Sequence, residues 1–413
     1  MSTSAPKPIE YADVVILGGG AAGFFAAANF GQMAKGIKII LLEQGREVLQ
    51  KVKISGGGRC NVTHACWDPN DLVGHYPRGS KEMLGPFHKF ACGDTVAWFE
   101  ERGVPLKIEE DGRMFPVSDD SASIVDCLLK YAKKAGTAIL TSQKVIGIDE
   151  DKYGYKIECH GITIKSKYVL IATGSTPSVW KMLAGIGYEI IPPVPSLFTF
   201  HINDKALHQL MGLSVPDAAI NCRQFQLVSK GPVLITHWGV SGPAVLKMSA
   251  MGAREMHLCA YRFELEISWV PGWTIEALEA FRKTRGSASV AGQSPVNLPS
   301  RLWKYLVNRA GIDHDKKWAD LNKAEIEKLT TALTRDLHKV NGKSTFKEEF
   351  VTAGGVDLKQ INFSTFESRK HAGLYFAGEV LDIDAVTGGF NFQAAWTGAY
   401  LAAKSIAKIF SAQ

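Results

Sequence analysis

The sequence predicts an α/β fold in which a Rossmann-like nucleotide-binding domain is split between the two ends of the chain. Residues 12–43 contain an apolar run, a glycine-rich turn, a helical pattern and a second apolar run, in that order. Residues 373–409 repeat part of this order, with a short apolar run, a glycine pair and a long helical pattern. Between these segments, three prolines within residues 191–196 mark the start of a different region.

The N-terminal segment has the features of a dinucleotide-binding βαβ unit. Gly18, Gly20 and Gly23 follow the apolar run in G-x-G-x-x-G spacing. Gly18 permits a tight turn, Gly20 lets the backbone approach a pyrophosphate, and Gly23 allows close packing of helix on strand. Glu43 ends the second apolar run, where an acid can accept hydrogen bonds from a ribose. The alternative is an accidental glycine-rich turn.

The rest of the first half follows the periodicity of its apolar residues. The second arm of a hairpin runs into Thr173 and Gly174, a further strand–helix junction that we expect near the nucleotide. The patterns predict helices over 94–102 and 121–135, a strand over 138–148, and hairpin arms over 153–159 and 162–171.

A β-rich module with a helical insertion separates the two parts of the nucleotide domain. Residues 197–270 have short strand-like patterns, and residues 274–340 have helical ones. We infer a first nucleotide-domain part over 1–194, a β-rich module over 195–272 and 341–353, a helical insertion over 273–340, and a second nucleotide-domain part over 354–413.

Two glycine–helix junctions favour FAD as the bound nucleotide. FAD is long, so one helix N-terminus can hold its pyrophosphate while the isoalloxazine ring needs a second site. Backbone N–H groups after Gly389 would stabilise the negative charge of a reduced flavin by roughly 0.3–2 kcal/mol. NAD(P) as the sole resident nucleotide is the alternative, and it leaves the glycine-rich loop 55–61 unexplained. We expect NAD(P)H as a transient reductant.

Composition and charge set further expectations. The chain has 413 residues, 46% of them hydrophobic, and a net charge of +6. We see no run of 18 apolar residues, no apolar leader, no dense Lys/Arg cluster, and no Cys or His spacing typical of metal sites. We therefore expect a cytoplasmic protein with a small-molecule substrate, without metal, membrane or nucleic-acid partner. The sequence leaves the oligomeric state open.

Several motifs resemble those of the BaiN-like and aminoacetone-oxidase-like bacterial FAD flavoproteins. They are ILGGGAAG, KISGGGRCNVTH, VLIATG, LITHWGVSGPAVL and GLYFAGEVLDIDAVTGGFNFQ, in order along the chain. The resemblance implies a split FAD-binding domain of the glutathione-reductase-like type. It also implies an inserted β-barrel domain that carries its own helical insertion.

The resemblance further implies an FAD-dependent oxidoreductase. Its reaction would move a hydride between NAD(P)H, flavin N5 and a small organic or steroid-like substrate, reducing a C=C or C=N bond. The alternatives are an amine oxidase that uses O2, a flavin-dependent RNA-modifying protein, and a non-catalytic flavin-binding protein. The chain departs from its relatives in a shorter loop after Gly174 and in Ala385, where a glycine is usual.

The resemblance also assigns cofactor contacts to individual residues. It places the loop 55–61 around the flavin, the backbone of Val145 at the adenine, and the start of the C-terminal helix at the pyrimidine edge of the ring. With the glycine turn, the expected cofactor-binding residues are Gly18, Gly20, Ala22, Gly23, Glu43, Gln44, Ser55, Gly56, Gly57, Arg59, Cys60, Asn61, Val145, Thr173, Gly174, Gly378, Glu379, Asp382, Gly389, Phe390, Asn391 and Gln393.

Candidate catalytic residues lie in the THWGVSGP segment. His237 and Ser241 belong to the inserted domain, which should cover the flavin. The alternative for His237 is a structural role. Cys60 lacks a second cysteine at redox-active spacing, so we expect packing rather than a disulfide shuttle. Arg59 either offsets cofactor charge or forms a surface ion pair.

Overall fold

A computed structural model describes residues 9–344 and 351–411, and the chain divides into two compact units. The first unit takes the chain up to Val194 and again from residue 347, and the second comprises residues 195–346. The strands are β1 (Ile9–Leu17), β2 (Ile39–Leu42), β3 (Thr63–His64), β4 (Leu106–Ile108), β5 (Arg113–Pro116), β6 (Ala138–Leu140), β7 (Val145–Asp151), β8 (Gly154–Cys159), β9 (Thr163–Ile171), β10 (Ile190–Pro195), β11 (Thr199–Ile202), β12 (Ser214–Cys222), β13 (Leu227–Thr236), β14 (Gly239–Ser241), β15 (Phe263–Ser268), β16 (Asp336–Ser344), β17 (Thr352–Val356), β18 (Ile361–Asn362), β19 (Glu367–Ser368) and β20 (Leu374–Phe376). The helices are α1 (Ala21–Met33), α2 (Gln50–Ile54), α3 (Pro69–Val73), α4 (Ser80–Phe87), α5 (Cys92–Glu100), α6 (Ala122–Lys134), α7 (Pro177–Gly185), α8 (Lys205–His208), α9 (Pro243–Met251), α10 (Ala253–Leu258), α11 (Ile275–Thr284), α12 (Ser300–Arg309), α13 (Lys323–Thr334) and α14 (Phe390–Ser411).

The first unit is built on a parallel sheet in the order β20-β9-β1-β2-β6. Its central strand, β1, is fully buried from Val14 to Leu17, as expected of a parallel strand covered on both faces. An antiparallel extension, β7-β8, joins the first half of β9, and β18-β19 joins β20. The first and the last parts of the chain thus both contribute strands to this sheet.

Helices α1 and α14 pack against each other beside the glycine turn. Ring contacts continue this packing, because the Phe25 ring lies 5.0 Å from Trp396 and 4.5 Å from Trp98 between ring centroids. The side chain of Asn29 accepts a 3.0 Å hydrogen bond from the indole of Trp98. Large buried aromatic side chains therefore fix the two helices whose N-termini were predicted to meet the cofactor.

The second unit contains a closed antiparallel barrel in the order β11-β14-β13-β12-β15-β16. Inward positions alternate along its strands, as in Phe263, Leu265 and Ile267 of β15. The helices α11, α12 and α13 share one apolar core with the barrel, and Trp303 and Trp318 stack within it at 6.2 Å. The predicted α/β fold with a Rossmann-like domain and an inserted barrel is confirmed.

Several element boundaries differ from the predictions. Residues 138–148 form two strands, because Ser142 adopts a positive φ of 56° and the backbone N–H groups of Ser142 and Gln143 donate to Gly45 and Glu43. Residues 253–258 are helical, although the pattern indicated a strand. The last barrel strand, β16, begins inside the range assigned to the helical insertion, and β17 pairs with β10 outside the barrel.

Candidate cofactor cleft

The glycine turn has the geometry that a close phosphate approach requires. Gly18 has φ of 107°, and a Cβ built on it would lie 2.3 Å from the carbonyl oxygen of Ala172, so only glycine fits. A Cβ on Gly23 would lie 2.0 Å from the oxygen of Gly18, which shows how closely α1 approaches the strand. A Cβ on Gly20 meets nothing within 4 Å, so this residue borders open space.

That open space is a cleft of about 330 Å³ at the carboxyl ends of β1, β2, β9 and β20. Ligands of open α/β sheets bind at this edge. The N-terminus of α1 lies on the lining through Ala21 and Ala22. Of the predicted cofactor residues, the cleft brings together Gly18, Gly20, Ala22, Glu43, Gln44, Thr173, Gly174, Gly378, Glu379 and Asn391.

Glu43 fixes the loops around the cleft. One carboxylate oxygen accepts a 2.8 Å hydrogen bond from the Gly19 N–H, and the other accepts a 2.7 Å bond from the Gly45 N–H. A carboxylate has about four acceptor positions, so capacity for ribose hydroxyls remains. The sequence suggested the ribose contact alone. The hydrogen bonds of Glu43 to Gly19 and Gly45 form only in the folded protein, and no local sequence pattern predicts them.

A second, smaller cavity of about 40 Å³ shares Gly18, Glu43 and Thr173 with the cleft and includes Val145. Gln143 also lines it, and sequence reasoning missed this residue. Within residues 9–344 and 351–411, the buried Gln143 Oε1 and Thr173 Oγ1 have no hydrogen-bond partner. A buried polar atom without a hydrogen-bond partner lowers the stability of the folded protein, so these two atoms indicate that the smaller cavity takes a polar group of a ligand.

An ion pair joins two segments of the cleft wall. Lys51 Nζ lies 2.7 Å from Glu379 Oε2, linking α2 with the turn after β20. The Lys51 side chain is 50% exposed, so this pair contributes little to stability. The short loop after Gly174 is closed by Thr176, whose hydroxyl donates to the Thr173 carbonyl oxygen at 2.7 Å. Helix α7 can therefore begin directly at Pro177.

The loop 55–61 lies outside the lining of the cleft, and it begins with a tight turn over Ser55–Gly58 in which Gly56 and Gly57 have φ of 58° and 68°. Arg59 donates to Glu109 at 2.6 Å and to Asp119 at 3.3 Å, and its guanidinium lies 4.0 Å from the Phe115 ring centre. The hydrogen bond to Glu109 raises the pKa of Arg59. Arg59 thus forms the ion pair that was one of its two alternatives, and its contact with the cofactor stays a prediction.

Cys60 is fully buried and adopts φ of 61°. Burial raises the pKa of its thiol to about 12, so the thiol is protonated at neutral pH and a poor nucleophile. All seven cysteines lie within the described residues, and none of them forms a disulfide.

The loop 55–61 contacts the start of α14 through Asn61. The Asn61 side-chain amide lies 3.0 Å from both the Thr63 oxygen and the Gly389 nitrogen, and it satisfies both when its nitrogen faces Thr63. Asn391 in turn accepts from the Ala385 N–H at 2.9 Å and donates to its carbonyl at 3.1 Å. These contacts fix the turn before the helix.

Two further residues that were predicted to contact the flavin contact other side chains of the first unit. The Phe390 ring contacts two imidazoles, 4.6 Å from His64 and 4.1 Å from His75, and these imidazoles lie 5.9 Å from each other. Neither histidine was singled out from the sequence. Gln393 is fully buried, and its amide oxygen accepts from Thr63 at 2.6 Å and from Thr95 at 2.9 Å. Gln393, Phe390 and Gly389 lie outside the cleft lining, and their flavin contacts stay predictions.

Asp382 is also buried outside the cleft lining, and its backbone N–H donates to the Val356 oxygen at 3.1 Å. Its flavin contact stays a prediction. Nearby, the fully buried carboxylate of Asp384 forms a bidentate ion pair with Arg78. This pair ties the turn after β20 to the segment before α4, and no local sequence pattern indicates it.

The candidate catalytic residues belong to the second unit. His237 is exposed in the two-residue turn between β13 and β14, with its ring 3.9 Å from that of Trp238. Ser241 ends β14 opposite Leu234. The part of the chain that the structure describes shows no hydrogen bond between His237 and Ser241. A role for either residue at the flavin stays a prediction.

Among the described residues, no helix is long and apolar enough to cross a bilayer. The same residues contain no group of three or more His, Cys, Asp or Glu side chains arranged to hold a metal ion.

The fold is that of a Rossmann-like FAD-binding domain, and comparisons with known proteins agree with it. The chain is similar to 3-ketosteroid-delta4-(5alpha)-dehydrogenase from Rhodococcus jostii RHA1, with a TM-score of 0.51 and 13% identity over 96% of this chain and 97% of that one. At this identity the likeness shows the fold alone.

Two curated relatives match nearly end to end. The chain is 30% identical over 411 residues to the ribosomal RNA dihydrouridine synthase of Escherichia coli (strain K12), covering 96% of this chain and 98% of that protein. It is 26% identical to the 3-dehydro-bile acid delta(4,6)-reductase of Clostridium scindens, covering 95% and 98%. The family model described as HI0933-like protein Rossmann domain matches residues 12–405. The chain belongs to the HI0933-like Rossmann family.

Proposed function

We propose that this protein is an FAD-dependent reductase that saturates a C=C bond conjugated to a carbonyl group, and that its substrate is uridine in ribosomal RNA. The observation that carries the substrate is the full-length similarity, at 30% identity, to a protein named ribosomal RNA dihydrouridine synthase. The name of the bile-acid relative also describes reduction of carbon–carbon double bonds. The reaction type is therefore common to both relatives.

The cleft supports FAD as the cofactor. The turn Gly18–Gly23 and the N-terminus of α1 would hold the pyrophosphate, and Glu43 would hold the adenosine ribose. The orphaned Gln143 and Thr173 atoms supply polar groups for the adenine end. When bound, the flavin supplies hydride transfer at N5. The protein supplies binding, orientation and exclusion of water.

Saturating a double bond also requires a proton. NAD(P)H provides the hydride, one alkene carbon receives it, and an acid must protonate the other carbon. His237 is our candidate for this acid, because it is exposed and can regain its proton from solvent. Ser241, in the third residue pair of the hairpin counted from the turn that holds His237, is the candidate that orients substrate or water.

The distribution of charge supports a polyanionic substrate. Residues 195–346 hold 19 of the 47 Lys and Arg residues but only 13 of the 41 Asp and Glu residues. The rest of the chain holds 28 of each, so the whole net charge of +6 belongs to the second unit. Local excess of positive charge attracts phosphates. The proposal therefore departs from the expectation of no nucleic-acid partner, which rested on the absence of a dense Lys/Arg cluster in the sequence.

The test is a reaction with ribosomal RNA that lacks dihydrouridine. The protein is loaded with FAD, supplied with NADH or NADPH, and incubated with this RNA, and the nucleosides are then quantified by mass spectrometry. We expect dihydrouridine that depends on both FAD and the nicotinamide. RNA that stays unmodified would contradict the proposal.

The bile-acid relative supports a second candidate, reduction of a small conjugated ketone. A 3-keto-4,6-diene steroid, tested in parallel with the RNA, distinguishes the two. Steroid reduction without RNA modification would favour this candidate. Flavin bleaching by amines alone, or by no donor, would instead indicate an oxidase or a non-catalytic flavoprotein.

A further inference from the structure

A second groove lies on the first unit, at the start of β1 and beside the turn between β7 and β8. Its volume is about 430 Å³, and we call it the tyrosine–lysine groove. None of its lining residues lines the cofactor cleft, which lies at the other end of β1. The residues that define it are Tyr11, Tyr153, Lys38, Lys152, Lys165 and Lys167.

The two tyrosines present aromatic surface to solvent. Tyr11 is 52% exposed and Tyr153 is 46% exposed, and their rings meet edge to face at 5.7 Å. About half of the surface of each residue is exposed to water, and the Lys152 and Lys165 ammonium groups lie 5.2 Å and 5.0 Å from the centre of the Tyr153 ring. Exposed aromatic side chains within a cationic groove are the surfaces on which unpaired nucleic-acid bases stack.

The acids near the groove are already neutralised. Lys165 lies 2.8 Å from Asp151, and Lys167 lies 3.2 Å from Asp13. Asp13 also accepts a 3.0 Å hydrogen bond from the backbone N–H of Lys38.

Two lysines are left without an acid. Lys38 and Lys152 are exposed, and within residues 9–344 and 351–411 neither ammonium has a carboxylate partner. The lining of the groove holds four lysines and one acid, Asp13, so it carries net positive charge that attracts an external anion.

We propose that the tyrosine–lysine groove binds a single-stranded segment of RNA, with bases against Tyr11 and Tyr153 and phosphates at Lys38 and Lys152. This inference rests on the proposed function, which makes RNA the substrate. A flat membrane surface would not use a concave groove, and an acidic peptide would not use the stacking surface of the tyrosines. Stacking and phosphate contacts together describe a nucleic-acid strand.

The position of the groove gives it a distinct role. Strand β1 runs from Ile9 to Leu17, which at about 3.3 Å per residue separates the groove from the glycine turn by roughly 25 Å. A free nucleoside in the cleft cannot reach the groove, whereas a folded RNA can contact both. The groove therefore acts as an anchor that selects large RNA.

Binding of a short fluorescent oligouridylate to the full-length protein, followed by anisotropy at several salt concentrations, tests this proposal. Y11A/Y153A should weaken binding at least about fivefold for each base that no longer stacks. K38Q/K152Q should lower the slope of log affinity against log salt by about 0.7 for each phosphate that is no longer neutralised. The matched control K81Q/K181Q removes two exposed lysines elsewhere in the first unit and should leave both quantities unchanged.

The possible results distinguish failure of RNA binding at the groove from failure of the proposed reaction. FAD content and anaerobic bleaching by NAD(P)H should match wild type in every variant, which shows that the fold is intact. Weaker oligouridylate binding by the groove variants supports the groove, even where wild type forms no dihydrouridine and the proposed function fails. Wild-type protein that does not bind the oligouridylate, or groove variants that bind it as wild type does, would overturn the groove even where ribosomal RNA is modified.

Discussion

Replacing Gly20 by alanine tests the cleft without disturbing the fold. Gly20 has φ of −91° and ψ of −165°, which alanine adopts without strain, and its added Cβ would meet no atom within 4 Å. Gly20 is the N-cap of α1, where glycine is preferred to alanine, so we expect the apoprotein to lose about 1 kcal/mol of unfolding free energy. The methyl group would instead occupy the space that a pyrophosphate needs.

The expected loss of FAD affinity follows from the hydrogen bonds displaced. A hydrogen bond to a charged group contributes about 1.5–3 kcal/mol, so losing one at the turn weakens binding about 10- to 150-fold. Titration of apoprotein with FAD, followed by flavin fluorescence, measures this change, and urea unfolding of the apoprotein measures stability.

Gly85 provides the matched control. A Cβ built on it also meets nothing within 4 Å, but it lies in α4 and outside the cleft lining. G85A should bind FAD as wild type does and gain up to about 1 kcal/mol in stability. Two results would refute our account of the glycine turn: a G20A variant that binds FAD as tightly as wild type, or equal losses of FAD affinity in G20A and G85A.

Three further predictions concern buried groups of the first unit. D384N leaves the Arg78 guanidinium without its buried carboxylate and should cost about 3–5 kcal/mol of unfolding free energy, measured by urea denaturation; a loss below about 1 kcal/mol would contradict this. Q393L removes the acceptor of two buried threonine hydroxyls and should cost about 2–4 kcal/mol of unfolding free energy. A variant with wild-type stability and weak FAD binding would contradict this and would indicate that Gln393 contacts the flavin directly. Burial raises the pKa of Cys60 from 9.0 to about 12, so folding favours the neutral thiol; this stabilisation is present below pH 9 and is lost as the pH rises toward 12. Wild type should therefore lose more stability than C60S between pH 8 and pH 10, and parallel curves would contradict the assignment.

The first βαβ unit was predictable because its signals are local. The spacing alone assigns a role to each of Gly18, Gly20 and Gly23. A Cβ built on Gly18 or Gly23 would collide with backbone atoms, whereas a Cβ on Gly20 would meet open space. The long C-terminal helix was predictable for the same reason, and α14 runs from Phe390 to Ser411. Short-range periodicity and turn chemistry suffice for such elements.

Long-range contacts explain what the sequence left open. Arg59 meets Glu109, fifty residues away, so no spacing rule could choose between cofactor and ion pair. Gln143 lines the smaller cavity beside the cleft only because the backbone bends at Ser142 to meet the loop after β2. The division of residues 138–148 into two strands has the same origin.

The central claim is that this chain holds FAD in the cleft beside Gly20 and uses it to reduce uridine in RNA. Its most direct test is a single turnover without oxygen, in which protein bleached by one equivalent of NAD(P)H is mixed with ribosomal RNA. The account predicts that oxidised flavin absorbance returns and that one dihydrouridine appears for each flavin reoxidised. Flavin that stays bleached with RNA, while a conjugated steroid ketone restores its colour, would contradict it.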